Sequence, residues 1–277
     1  MKHVILGLIA GGVVLASSTP ALAAPKDPLA ALRAQLSAGK GVTLKQQTSG
    51  KSTSRLTRSG RVQFDKHGIT ASDLTAKLSI DSDDEKPADD FGSSEDEDDS
   101  QAAALTKPER TVRIGRTSYL KGGPIGAALP KGKSWYKQSP GWTCGLTAMF
   151  GDFVNAAEPS TLKALLSHST RKGTTYTGSM TVKELQRVSA WTRATLWWKL
   201  AAGVKVHWTL AVSPSGLPRT LTTKLGNATV GVSSTGMRTT YSGWGAKVSI
   251  KAPPASAVTT KLDPEKGSLQ LPPGPKR

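Results

Sequence analysis

Ser160-Thr161-Leu162-Lys163 has the spacing that brings a serine hydroxyl beside a lysine amine at a helix start. A serine nucleophile of that kind works with S-D-N and K-T-G sequences that complete its site, and neither tripeptide occurs in the chain. The same spacing recurs at Ser37–Lys40 and Ser134–Lys137. It is therefore common in a Ser- and Lys-rich chain, and Ser160 is expected to cap a helix. The histidines, His3, His67, His168 and His207, are scattered, with no pair at metal-ligand spacing. Cys144 is the single cysteine, so no internal disulfide can form, and no neighbouring motif supplies a base to activate it. It is expected to be a buried small residue. Nucleophile elbow and phosphate loop are both absent. The expectation is a protein that is not an enzyme, with no cofactor, no metal and no catalytic residues.

Charge says more than motifs do. The formal net charge is +17 over 277 residues. Residues 81–99, DSDDEKPADDFGSSEDEDD, hold eleven of the twenty acids and one lysine, leaving 36 bases against 9 acids elsewhere, or +27. The chain reads as a strongly basic body interrupted by an acidic loop, 81–104, too poor in core residues to order itself. Asp81, Asp83 and Glu85 have the alternate spacing of a calcium loop. Lys86 stands where that loop needs glycine, and no Glu follows at the twelfth place. A basic body suits anionic lipid headgroups, anionic cell-wall polymer or nucleic acid. Nucleic acid is set aside because no nucleic-acid motif is present and because the N-terminus reads as a signal peptide. There, Lys2 precedes the apolar run Val4–Ala16, and Ala21-Leu22-Ala23 is a small-x-small cleavage site. The run is shorter than the ~20 residues of a membrane span. Residues 1–23 are expected to be cleaved after Ala23, giving a secreted, extracytoplasmic protein. No cysteine stands at the cut to take a lipid anchor.

Periodicity then places the elements. Pro28–Ser37 carries Leu29, Leu32 and Leu36 at helical spacing, with Gly39 beyond its end. Arg55–Phe64 reads as a hairpin about Ser59-Gly60. Asp73–Ile80 alternates, with Leu74, Ala76, Leu78 and Ile80 on one face. TVRIGRTSYLKG is a hairpin turning at Gly115-Arg116, and ALPKGKSWYKQ a turn entering a short strand. Helices follow at Ser160–Ser167, after the capping box Thr181–Glu184, and over Trp191–Ala202. Strands return in VKVHWTLAV, where Val204, Val206, Trp208, Leu210 and Val212 share a face, and in RTLTTKL. GMRTTY and AKVSIKA are expected to pair across Ser242-Gly243-Trp244-Gly245. Residues 261–277 form a flexible Pro-rich tail. Nine to eleven alternating strands predict an antiparallel sheet with one buried face, and a sheet that wide curls. The fold class is α+β.

Five segments, "VRIG…YLKG" with "LPKGKSWYK", "TTYTGSMTVKELQRVSAW", "VHWTLAVSPSGLPRTL" and "YSGWGAKVSIKAPPASAV", together resemble actinobacterial secreted proteins and lipoproteins of the LolA/LppX/LprG-like superfamily. The resemblance spans about residues 28–260. It implies a curved antiparallel β half-barrel with helices packed over its concave face, holding a lipid or other amphiphile in an apolar cavity. It also implies a carrier or sensor of the cell envelope. The lipobox cysteine of such lipoproteins is missing here, and the acidic insertion departs from their pattern.

If such a cavity exists, Leu162, Leu165 and Leu166 of one helix and Trp191, Leu196, Trp197 and Leu200 of another are the candidates to line it. Each methylene they bury is worth about 0.8 kcal/mol. The alternative is a basic protein that docks on anionic headgroups or cell-wall polymer without internal cargo. The charge asymmetry yields a first prediction. Deleting residues 82–100 should leave the fold intact, because shortening a surface loop changes closure entropy little. It should also tighten binding to anionic liposomes at low salt. Circular dichroism and liposome co-sedimentation read the two outcomes.

Overall fold

The computed structural model describes residues 26–50, 54–80, 103–149, 151–196, 203–226, 236–263 and 273–275. The expected signal peptide, the acidic loop up to residue 102, Trp197, Leu200 and most of the tail lie outside these residues. Among these residues twelve strands form one sheet: β1 (Lys40–Ser49), β2 (Ser54–Phe64), β3 (Ile69–Ile80), β4 (Glu109–Ile114), β5 (Thr117–Gly122), β6 (Trp135–Gln138), β7 (Ser169–Lys172), β8 (Thr175–Thr181), β9 (Lys205–Val212), β10 (Pro218–Gly226), β11 (Gly236–Lys247) and β12 (Val258–Thr259). Their order is β12-β6-β5-β4-β3-β2-β1-β11-β10-β9-β8-β7. Every pairing is antiparallel except β12 with β6. The sheet curves but does not close, so the fold is an α+β half-barrel. Neighbours in sequence are neighbours in space along each half. The halves meet where β1 pairs with β11.

Among the described residues, besides a helical stretch at 103–106 and a short 3-10 turn at Ala255–Ala257, five α-helices accompany the sheet: α1 (Pro28–Arg33), α2 (Gly123–Ala127), α3 (Pro159–Ser167), α4 (Val182–Val188) and α5 (Ala190–Thr195). All are short, and side chains fix where most of them start. Asp27 caps α1 by accepting from the Leu29 amide at 3.0 Å. Thr181 and Glu184 form the expected capping box, with Thr181 Oγ1 accepting from the Glu184 amide at 3.2 Å and Glu184 Oε2 from the Thr181 amide at 2.8 Å. Glu158, rather than Ser160, is the cap residue of α3. Pro159 takes the first helical position, which its fixed φ suits, and so moves the helix start upstream of the serine. The Glu158 carboxylate turns away to α5, accepting from the Ala190 and Trp191 amides at 2.9 and 3.1 Å and from the Thr161 and Ser189 hydroxyls at 2.5 Å each. One carboxylate therefore ties α3 to α5.

The main core lies between these helices and one end of the sheet. Leu44, Val62, Phe64, Leu74, Leu210 and Leu221 of the strands meet Leu32, Leu162, Leu165, Leu185 and Trp191 of the helices. Two expected hairpins are absent from it. Residues 54–64 form a single strand, and its turn to β3 falls at Asp65–Gly68, where the Asp65 carboxylate accepts from the His67 and Gly68 amides. Gly60 is needed within the strand, because a Cβ there would sit 2.0 Å from the Asp73 carbonyl oxygen. Likewise β11 runs through Ser242-Gly243-Trp244-Gly245 without reversing. Between the pairs Thr43↔Ser242 and Gly41↔Ala246, β11 advances four residues while β1 advances two. This bulge seats Trp244 against Phe64 and Tyr241, with ring centroids 6.1 and 5.9 Å apart, and the indole donates to the Pro218 carbonyl at 3.0 Å. Thr181→Ala, which breaks the capping box, should cost about 1 kcal/mol of stability. Urea denaturation should show a lower midpoint at an unchanged slope.

Candidate functional site

Inward-facing residues of adjacent strands line up in rungs across the concave face. One rung reads Tyr241, Leu44, Gly60, Leu74, Thr111 and belongs to the main core. The next reads Thr239, Gln46, Arg58, Ala76, Glu109. Four of its five members are polar, and all five are buried. Beyond it lies a second apolar cluster of Leu56, Ala76, Cys144 and Ala148, with Leu78 and Met237 packed against it. A buried polar belt thus divides the concave face into two apolar regions.

Arg58 is the centre of the belt, at 1% exposure. Its Nε donates to Gln46 Oε1 at 2.6 Å and its Nη2 to the Asp152 carbonyl at 2.8 Å. Its Nη1 and the Gln46 Nε2 have no hydrogen-bond partner. Among the described residues the ion pair is Arg110–Asp73, on the outer face; no carboxylate lies within ion-pair distance of Arg58, on which Asp152 acts only through space. The Asp152 carboxylate is occupied elsewhere, Oδ1 accepting from the Val154 amide at 2.9 Å and Oδ2 from the Thr239 hydroxyl at 3.0 Å. Burial pushes Asp152 up to about 6 and pulls the Arg58 guanidinium below its ordinary value. Burial likewise raises the Tyr241 phenol, which donates to Asn155 Oδ1 at 3.2 Å and accepts from the Ala156 amide at 2.9 Å. A buried cation without a contacting counter-charge, next to a second unsatisfied donor, is short of acceptors. Its chemistry suits an oxyanion.

Glu109 ends the rung. The segment from Gly145 to Thr147 packs on its carboxylate, and the Thr147 amide donates to Oε2 at 3.3 Å. Gly145 permits this approach, since a Cβ there would fall 2.4 Å from the carboxylate. Oε1 has no partner, and burial pushes the group up to about 7.

Among the candidate lining residues, Leu162, Leu165, Trp191 and Leu196 come together in the main core, and Leu166 packs against it half-buried. Trp197 and Leu200 fall outside the described residues. Cys144 is buried in the second cluster, its Sγ 3.8 Å from the Thr195 carbonyl. Ser160 and Lys163 line a surface pocket with His67, while His168 bonds the Ala164 carbonyl at the end of α3. Among the described residues, no group of three His, Cys, Asp or Glu could hold a metal. The belt itself escaped sequence reading. Reading a hairpin at Ser59-Gly60 hid the alternation Leu56, Arg58, Gly60, Val62, Phe64, which places Arg58 on the apolar face of a continuous strand. Asp152 stands in an irregular segment with no periodicity to read.

No family model matches the chain, and no curated protein matches it. Among solved structures, the Mycobacterium tuberculosis lipoprotein LppX is similar at 12% identity and a TM-score of 0.35, covering 81% of this chain and 98% of that one. A porin-like protein from Bacteroides uniformis is similar at 8% identity and a TM-score of 0.26, covering 75% and 98%. Likeness at these scores assigns neither a family nor a ligand.

The buried carboxylates make stability depend on pH. Glu109 is raised from 4.5 to about 7 and Asp152 from 3.8 to about 6, so the folded state binds their protons more tightly than the unfolded chain does. The stability they confer is full below the unfolded values and is lost as pH rises through about 6 to 7. Glu109→Gln should therefore match the wild type near pH 4.5 and exceed it at pH 8 by on the order of 2–3 kcal/mol. Thermal unfolding of both proteins across that range checks this.

Proposed function

We propose that this chain is a secreted, non-enzymatic binding protein of the cell envelope that takes an anionic amphiphile, such as a lipid with an acidic headgroup, as carrier or sensor. The observation that carries this reading is the position of Arg58. Its guanidinium, buried and without a carboxylate in contact, pairs across strands with Ala76 of the second apolar cluster. A ligand with one acidic end and one apolar end matches that sequence of surroundings. The acidic end would satisfy Arg58 Nη1 and Gln46 Nε2. The apolar end would lie along Leu56, Leu78 and Met237. The curved open sheet and the resemblance noted in the sequence agree with this use.

Native mass spectrometry of the purified protein, followed by organic extraction, should find a co-purifying amphiphile, and a fluorescent fatty acid should be taken up. Arg58→Met keeps the volume and removes the charge, a replacement that buried ion sites tolerate. It should weaken fatty-acid uptake at least tenfold and leave uptake of the matching fatty alcohol unchanged. A protein that neither carries nor takes up an amphiphile is not such a carrier.

A second reading rests on the outer face. Lys45, Arg61, Lys77, Lys205, Lys224 and Arg238 are exposed there, and docking on anionic headgroups or cell-wall polymer would use them. Binding of that kind fades as salt shortens the Debye length to about 10 Å at 0.1 M. Cargo held inside does not respond to salt in this way. Liposome co-sedimentation at two salt concentrations separates the readings.

A further inference from the structure

A pocket of about 490 Å³ opens where the start of α3 meets the β2–β3 turn and β4. That volume is within the range of small-molecule sites, about 300–1,000 Å³. Arg33, at the end of α1, Arg113 of β4 and Lys163 of α3 all line it. Arg33 and Lys163 are exposed, whereas Arg113 is half-buried and donates only its Nε, to the Gly141 carbonyl at 3.2 Å. The guanidinium of Arg113 has no carboxylate within ion-pair distance, since Arg110–Asp73 is the pair among the described residues.

Two carboxylates also reach the pocket: Glu158, which is fully engaged and acts on Arg113 through space, and Asp65, engaged through one oxygen. Glu158 accepts four hydrogen bonds, from Thr161, Ser189, Ala190 and Trp191. Asp65 accepts from the His67 and Gly68 amides. The start of α3 adds donors. No side chain caps it, so the Ser160 and Thr161 amides are the helix's unsatisfied first-turn donors, and the helix dipole favours an anion there. Independently, Trp191 lines the same pocket at 4% exposure, and its indole N–H has no hydrogen-bond partner. The cations and the helix amides are all donors, while the unpartnered indole N–H lies closed off behind the pocket wall. Glu158 is fully engaged, and the second oxygen of Asp65 is the pocket's remaining free anionic acceptor, outnumbered by the three cations.

We propose that this pocket binds the phosphoryl group of a phosphate-bearing ligand, whether free in solution or carried by a lipid headgroup. The Ser160 hydroxyl and the neighbouring helix amides take its oxygens, and Arg33, Arg113 and Lys163 balance its charge. The spacing of Ser160 and Lys163 then serves oxyanion binding on one helix turn. This site contains no residue of the Arg58 belt, so it stands or falls separately from the carrier reading.

The test uses the full chain. Phosphorus-31 NMR and calorimetry should show saturable 1:1 binding of inorganic phosphate or glycerol phosphate at 0.15 M salt. The Arg33→Gln/Lys163→Gln double variant, which changes exposed side chains only, should weaken it at least tenfold. Arg113→Gln should weaken it too, and Lys131→Gln, an exposed lysine outside both the pocket and the outer-face surface, should not. Vesicles containing phosphatidylglycerol, compared with phosphatidylcholine alone, distinguish the source. Vesicle association that glycerol phosphate competes away and the double variant loses marks a headgroup, and saturable phosphate binding without it marks a soluble phosphate. Either result supports the site. Absence of saturable binding in the wild type, or equal binding by wild type and double variant, overturns it. Arg58→Met should leave phosphate binding intact, so failure of the carrier reading would not be mistaken for failure of this one.

Discussion

The pairing of β1 with β11 is the contact on which the rest of the structure depends. It alone joins two smaller sheets, β1 to β6 with β12, and β7 to β11. With it, residues 40–49 and 236–247 become central strand and neighbour. The concave face then becomes continuous, and the rungs that cross it gain their middle members. Tyr241 illustrates the consequence. It lies opposite Leu44 on β1, stacks on Trp244, and reaches Asn155 and Ala156 in the segment that covers the sheet. A contact closed over nearly two hundred residues of chain has a high entropic cost of search, so this topology belongs with slowly folding sheets.

The buried polar belt and the Glu158 junction are the two places where the interior departs from an apolar filling. Glu158 is fully satisfied by two amides and two hydroxyls, and it sets the relative position of α3 and α5. The belt is not satisfied in the same way. Arg58 and Gln46 keep unused donors, and Glu109 keeps an unused acceptor. A buried group left without a partner costs about 1–3 kcal/mol, so three such groups in one rung weigh against stability. The two donors are open to an acceptor, whereas Glu109 is relieved by its own protonation, which burial favours.

Much of the architecture was legible because one face of each strand is dry. The alternation in Lys205–Val212 and in Asp73–Ile80, the turn at Gly115-Arg116 and the capping box at Thr181–Glu184 each carry their own geometry. Errors came from glycines. Gly60 and the pair Gly243 and Gly245 read as turns, yet the first permits two strands to approach and the others belong to a bulge that holds Trp244. Sequence cannot separate these uses, because all of them favour a residue without a side chain. The polar belt was hidden for the same reason, since a turn at Gly60 reverses the facing of Arg58. The short elements β7, α2 and β12 are set by tertiary contact, and their sequences have no periodicity long enough to read.

The open sheet ends in two very short strands, β7 with four residues and β12 with two. Unpaired strand edges are templates on which other chains can add. At one edge, β7 places Arg171 and Lys172 beside the turn, with the Arg171 guanidinium 5.5 Å from the Tyr176 ring centroid. At the other, β12 is too brief to offer more than a pair of residues. A half-barrel gives up the protection of closure, and here brevity and charge supply a substitute. The concave face is covered by the helices, so the rims are the places where another chain could add, and their shortness and charge disfavour it.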